Sequence, residues 1–176
     1  MFIDELPKKK IGNLSPRHVT DNGPYEFYRL APPGVMLVMV SLGLDEFTLE
    51  DVERVFKPLD RQLDMLVERD VDIISQTGVP LPCVIGLQAH DALLAHIEDY
   101  TGRPATSQLN NVIEALQHLG LKKVIVANKW TDKMNATLEE FLDRAGISCV
   151  GVYNKSLTPK EFSKIKTKDS AQLAYE

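Results

Sequence analysis

The chain has 176 residues, 44% of them hydrophobic and 26% charged, the composition of an ordinary globular protein of one domain or one and a half. Its formal net charge of −5 is spread over interspersed basic and acidic residues, which leaves no electrostatic footprint for nucleic acid. The longest apolar run, GVMLVMV at 34–40, is far too short to span a bilayer, and no signal-like core follows Lys8, Lys9 and Lys10, so a cytoplasmic protein is expected.

In chain order, 10–14 reads as a weak first strand. The segment 15–34 holds Pro16, Pro24, Pro32 and Pro33 and reads as loop, with one turn anchored by Tyr25, Phe27 and Tyr28. The six-residue apolar run 35–40 is a much firmer strand, and its unbroken hydrophobicity predicts cover on both faces. A long helix follows, opened by Thr48 and Asp51 at capping-box spacing and bent at Pro58; Val52, Val55, Leu59, Leu63 and Leu66 recur at helical spacing. A short strand at 71–74 and a helix at about 86–100 come next. Thr106 or Ser107 caps a helix ending near Gly120; a strand at 124–127, a helix capped by Thr131 or Asp132, and a strand at 147–152 complete the readable order. PKEFSKI at 159–165 reads as a turn of helix, and 170–176 as the start of another. Alternating strands and helices with short connections predict a three-layer α/β/α fold with a mostly parallel sheet.

Open α/β sheets place their chemistry beyond the carboxyl ends of the strands, and SQTGVPLPC at 75–83 stands at such an end. Cys83 has no base beside it in sequence; His90 lies seven residues on, and packing is the plainer role for the thiol. Cys149 lies in an apolar strand. The two cysteines and four histidines show no metal-ligand spacing, and there is neither a Walker motif nor GxGxxG, so no metal or cofactor is expected. Gly78 permits close approach of a ligand carboxylate to the backbone, although Pro80 supplies no amide there. Trp130, at another strand end, either lines a pocket or plugs the sheet edge.

GVPLPCVIG, and above all TGRPATSQLNNVIEALQHLGLKKVIVANKWTDKMNATLEEFLDRAGI, resemble the aspartate/glutamate racemase superfamily, in its branch of arylmalonate decarboxylases and maleate isomerases. The resemblance runs from about Ile11 to the end and is strongest over 102–146. It implies two pseudo-symmetric α/β halves with the active site between them, here 1–115 and an apparently truncated 116–176. Racemases and maleate isomerases carry one catalytic cysteine per half. The first position is Gly78 here, the decarboxylase arrangement, and the second falls beyond residue 176. The resemblance therefore gives no catalytic residue in this chain. It implies a substrate pocket at Pro16, Leu44, Phe47, Gly78, Val79, Pro80 and Trp130, with Val79 and Pro80 replacing hydroxyl residues of the carboxylate cradle. The implied partner is a small dicarboxylate or aryl-substituted carboxylate, with self-association left open. Two functions remain: cysteine-dependent decarboxylation or isomerisation of small acids, or a non-catalytic protein that keeps the fold to bind such an acid or another subunit.

Overall fold

A computed structural model describes residues 7–19, 22–157, 161 and 166–175. The first sheet is formed by β1 (Lys9–Arg17), β2 (Val35–Leu44), β3 (Ile73–Gln76) and β4 (Ala105–Ser107), in the order β2-β1-β3-β4. Every pairing in it is parallel, with Leu14 opposite both Val40 and Gln76. A second, two-stranded parallel sheet joins β5 (Lys123–Asn128) to β6 (Ser148–Asn154). Helices intervene throughout, giving the three-layer α/β/α fold with parallel strands.

Alternation along β1 divides the first sheet into two faces. Leu14 and Ile74 point into a core with Val52 and Val55 of α2 (Leu49–Phe56), Leu63 and Leu66 of α3 (Leu59–Val67), and Leu93 and Ile97 of α5 (Leu87–Thr101). The odd-numbered face, Ile11, Asn13 and Ser15, looks instead toward α1 (Asn22–Leu30) across an open space. A second core joins Cys83 of α4 (Pro80–Ile85), Leu109 and Ile113 of α6 (Gln108–His118), and Met134, Leu138 and Phe141 of α7 (Asp132–Arg144). A last helix, α8, covers Thr167–Tyr175. No helix among the described residues is long and apolar enough to cross a membrane.

Several elements depart from the sequence reading. The proline-rich segment is not all loop: Asn22–Leu30 is helical, with Pro24 in the first turn, where its missing N–H has no helical partner to lose. Its Tyr28 hydroxyl accepts from the Leu37 amide at 2.9 Å, on the outer strand of the sheet. Pro58 separates α2 and α3 rather than bending one helix. Thr48 caps as expected, accepting from the Asp51 amide at 3.3 Å. The Asp51 carboxylate does not close the box, however: it accepts from the Asp45 and Glu46 amides at 2.8 and 2.6 Å. The short helix α4 and the three-residue β4 have no counterpart in the sequence reading. Of the turn read at 159–165, only residue 161 lies within the described residues.

Candidate functional site

The space between α1 and the odd-numbered sheet face is a cavity of about 680 Å³. Ile11, Leu37 and Ile73 give it apolar wall, and Pro16, Arg17, Gly78 and Gln108 line it at the carboxyl ends of the strands. That is where a parallel sheet brings loops from separate strands together.

Gly78 sets the geometry of this edge. Its φ is +87°, a region that side chains rarely adopt, and a Cβ there would stand 2.8 Å from Pro16 Cγ. Its N–H donates to Gln108 Oε1 at 2.7 Å, and its carbonyl accepts from the Leu81 amide at 3.1 Å. Beside it the Thr77 hydroxyl lies 3.0 Å from Asn13 Oδ1, and Gln76 Nε2 donates to the Thr77 carbonyl. Gln76 Oε1 is buried and without a hydrogen-bond partner. Thr106 Oγ1 donates to Asn111 Oδ1 at 2.7 Å on the wall of the same cavity.

Of the residues expected at a pocket, Pro16 and Gly78 line this cavity together. Leu44 is buried in the first core and Phe47 packs against that core. Val79 and Trp130 pack against the second core, and Pro80 opens α4. Trp130 does not line the cavity; its amide donates to Asn128 Oδ1 at 2.9 Å, and Asn128 Nδ2 donates to Asn135 Oδ1 at 2.6 Å. Asp132 accepts from Asn154 at 2.6 Å, so the start of α7 is tied to both strands of the second sheet.

The family model described as "Amdase: Arylmalonate decarboxylase" matches residues 20–175. The chain belongs to the arylmalonate decarboxylase family. It sits in the arylmalonate decarboxylase and maleate isomerase branch of the aspartate/glutamate racemase superfamily. An arylmalonate decarboxylase of Bordetella bronchiseptica is 25% identical over 129 residues, covering 73% of this chain and 54% of that protein; the chain thus spans about half the length of this curated relative. The fold is similar to a liganded, doubly substituted arylmalonate decarboxylase, with TM-score 0.82, 22% identity and coverage of 96% of this chain and 71% of that one. It is equally similar to a Nocardia farcinica maleate cis-trans isomerase variant holding a covalent succinylcysteine, with TM-score 0.82, 11% identity and coverage of 95% and 72%.

Against this family membership, the two thiols of the chain stand apart from the cavity. Burial pushes Cys83 up to about 12, so it stays a thiol at neutral pH, packed in the second core. Cys149 is half-buried, its Sγ lying 3.4 Å from the Gly151 carbonyl. His90 is paired with Ser107 rather than with Cys83: Nε2 lies 2.9 Å from Ser107 Oγ. Burial lowers the His90 pKa, and the Asp91 carboxylate, 3.5 Å from Nδ1, opposes this only in part; His90 is therefore a neutral structural residue. Sequence reasoning missed Arg17 and Gln108. The available signal was position: Arg17 ends β1, and Gln108 directly follows β4 and the Ser107 cap of α6.

Proposed function

We propose that this chain forms a binding site for small carboxylic acids of the kind that decarboxylases and isomerases of its family handle, with the acid's carboxylate at the Gly78 amide. The observation that carries this reading is the glycine itself. Its positive φ and its contact distance to Pro16 keep position 78 free of any side chain, so a ligand atom can approach the backbone from the cavity. At present Gln108 Oε1 occupies that amide as an uncharged oxygen. A carboxylate replacing it would make a charge-assisted and stronger bond to the same donor. Val79 and Pro80 add no hydroxyl, so the amide carries more of the recognition than a hydroxyl-rich cradle would require.

Decarboxylation and isomerisation in this class call for a thiol that moves a proton at carbon, or adds to a double bond, beside a stabilised enediolate. We assign that step to neither Cys83 nor Cys149, given the pKa of the first and the strand position of the second. The Cys83 observation also favours the second reading, a family member that binds a small acid without turning it over. The two halves, 1–115 and 116–176, are proposed as the units flanking the site, in keeping with one sheet built from 9–107 and another from 123–154.

Calorimetric titration of the purified chain with phenylmalonate, maleate and acetate tests the binding. Saturable binding that is lost in Gly78→Leu is the expected result; binding indifferent to that substitution moves the ligand elsewhere. Decarboxylation of arylmalonates or isomerisation of maleate, abolished by Cys83→Ala, would overturn the assignment of the thiols.

A further inference from the structure

Part of the sheet face inside the cavity is polar, where the covered face of a parallel sheet is ordinarily apolar. Register sets Ile11 opposite Leu37 on one side and Ile73 on the other, an apolar row across β2, β1 and β3. The next row on the same face sets Asn13 opposite Ser75, and Ser75 opposite Thr106, so an amide and two hydroxyls cross β1, β3 and β4 in line. Both rows line the cavity.

The polar row is poorly used by the fold itself. Ser75 is only 8% exposed, yet its hydroxyl has no hydrogen-bond partner among the described residues. Asn13 receives the Thr77 hydroxyl on Oδ1 at 3.0 Å, and Thr106 gives its own hydroxyl to Asn111 at 2.7 Å. The Asn13 NH2 group and the Ser75 hydroxyl are left as donors on the cavity wall, and the Thr106 oxygen as an acceptor. A buried hydroxyl without a partner costs stability, and a ligand that bonds to it removes that cost. No member of the row is charged, so it suits groups that both donate and accept without a charge of their own. Glu26, on α1 across the cavity, adds a further acceptor for O–H groups.

We propose that the row Asn13, Ser75 and Thr106 is a hydroxyl-binding strip, and that the acid held at Gly78 is a polyhydroxy acid of the sugar-acid class. The proposal rests on the reading of Gly78 as the carboxylate point and names the substrate class of that site. Ser75 stands in the strand that leads to Gly78, about 10 Å of chain away at most. An acid anchored at the Gly78 amide therefore meets the strip with the far part of its carbon chain, where a sugar acid carries hydroxyls and a plain fatty acid carries none.

Calorimetric titration of the 176-residue protein with gluconate, hexanoate and acetate, at constant pH and ionic strength, tests the strip. Hexanoate has the carbon chain of gluconate without its hydroxyls. Gluconate should bind about tenfold or more tightly than hexanoate. Ser75→Ala and Thr106→Val should each lower gluconate affinity about fivefold or more, and change acetate affinity by less than about twofold. The denaturant midpoint of Ser75→Ala should be unchanged or higher, because the hydroxyl bonds to nothing in the fold; a lower midpoint assigns Ser75 to the fold and overturns its role. A preference for gluconate that survives both substitutions also overturns the strip. Acetate binding that is lost in Gly78→Leu, with gluconate held no more tightly than hexanoate, overturns the strip and leaves the carboxylate point standing. Failure of all the acids to bind the unsubstituted protein removes the carboxylate reading, and this proposal with it.

Discussion

In the four-stranded sheet, β1 and β3 each have a strand on either side, and Leu14 and Ile74 on them are fully buried. In the two-stranded sheet neither strand is interior, and Ile125, Val150 and Tyr153 remain 64%, 59% and 45% exposed. Both sheets use the same parallel pairing, and both have an amphipathic helix against them, α3 on the first and α7 on the second. The difference is the number of covered faces and edges. A hydrophobic strand sequence such as KVIVAN specifies the ladder, whereas its burial depends on what lies alongside it.

The sharpest way to break the comparison is to remove matched apolar groups from the two regions. Leu63→Ala, at a fully buried site of the first core, should cost about 2–5 kcal/mol in denaturant unfolding, because the closely packed helix and sheet around it leave a cavity. A loss below about 1 kcal/mol would show that the first core is not the better packed of the two. At the edge of the cavity, Gly78→Cys places a Cβ against Pro16 in a positive-φ backbone and should cost about 1–3 kcal/mol, together with loss of acid binding. Unchanged stability and binding would mean that the turn relaxes freely, and calorimetry on the same sample reads both.

His90 sharpens the comparison differently, since it connects the regions: it sits on α5, bonds Ser107 at the end of the first sheet, and stacks edge-on against Phe141 of α7 at 5.2 Å. Its folded pKa lies below the ordinary 6.5, with burial as the main cause. Between the folded and unfolded values the unfolded chain therefore binds the extra proton. The stability associated with neutral His90 is full above about pH 6.5 and is lost as pH falls through the folded value. Unfolding free energy should decline from pH 7 toward pH 5, and His90→Gln should flatten that part of the profile. Identical slopes in the two proteins would remove His90 as the cause. The smallest effect is expected at Ile125→Ala in the second sheet, within about 0.5 kcal/mol, because most of the side chain is already in water. A cost comparable to that of Leu63→Ala would mean that the exposed face is covered in solution.

The parts of this fold that were legible in the sequence are those where one periodicity dominates. β2 announces itself as six apolar residues in a row, and α6 and α7 through hydroxyl caps and apolar spacing, with Ser107 accepting from the Asn110 amide and Thr131 from the Met134 amide. The segment 15–34 misleads because its four prolines look like loop punctuation, yet Pro24 falls in a helix's tolerant first turn. In α4 two prolines hide six helical residues, and β4 is too short to carry a pattern. The site divides in the same way. Gly78 stands out beside a strand and Pro16 is reached through the family resemblance, but their contact spans 62 residues of sequence. Arg17 and Gln108 become visible only when β1, β3 and β4 are aligned, because parallel register is what brings their carboxyl ends to one edge.

The contact between positions 16 and 78 also orders the history open to this site. A thiol arriving first at 78 meets the proline ring and a backbone poorly suited to it, so that step begins at a disadvantage. A smaller residue arriving first at 16 meets no such obstacle and opens the room that a later side chain at 78 would need. Glycine and cysteine at this turn are therefore separated by a path with a preferred sequence of steps, and the substitution tolerated at 78 depends on which residue already stands at 16.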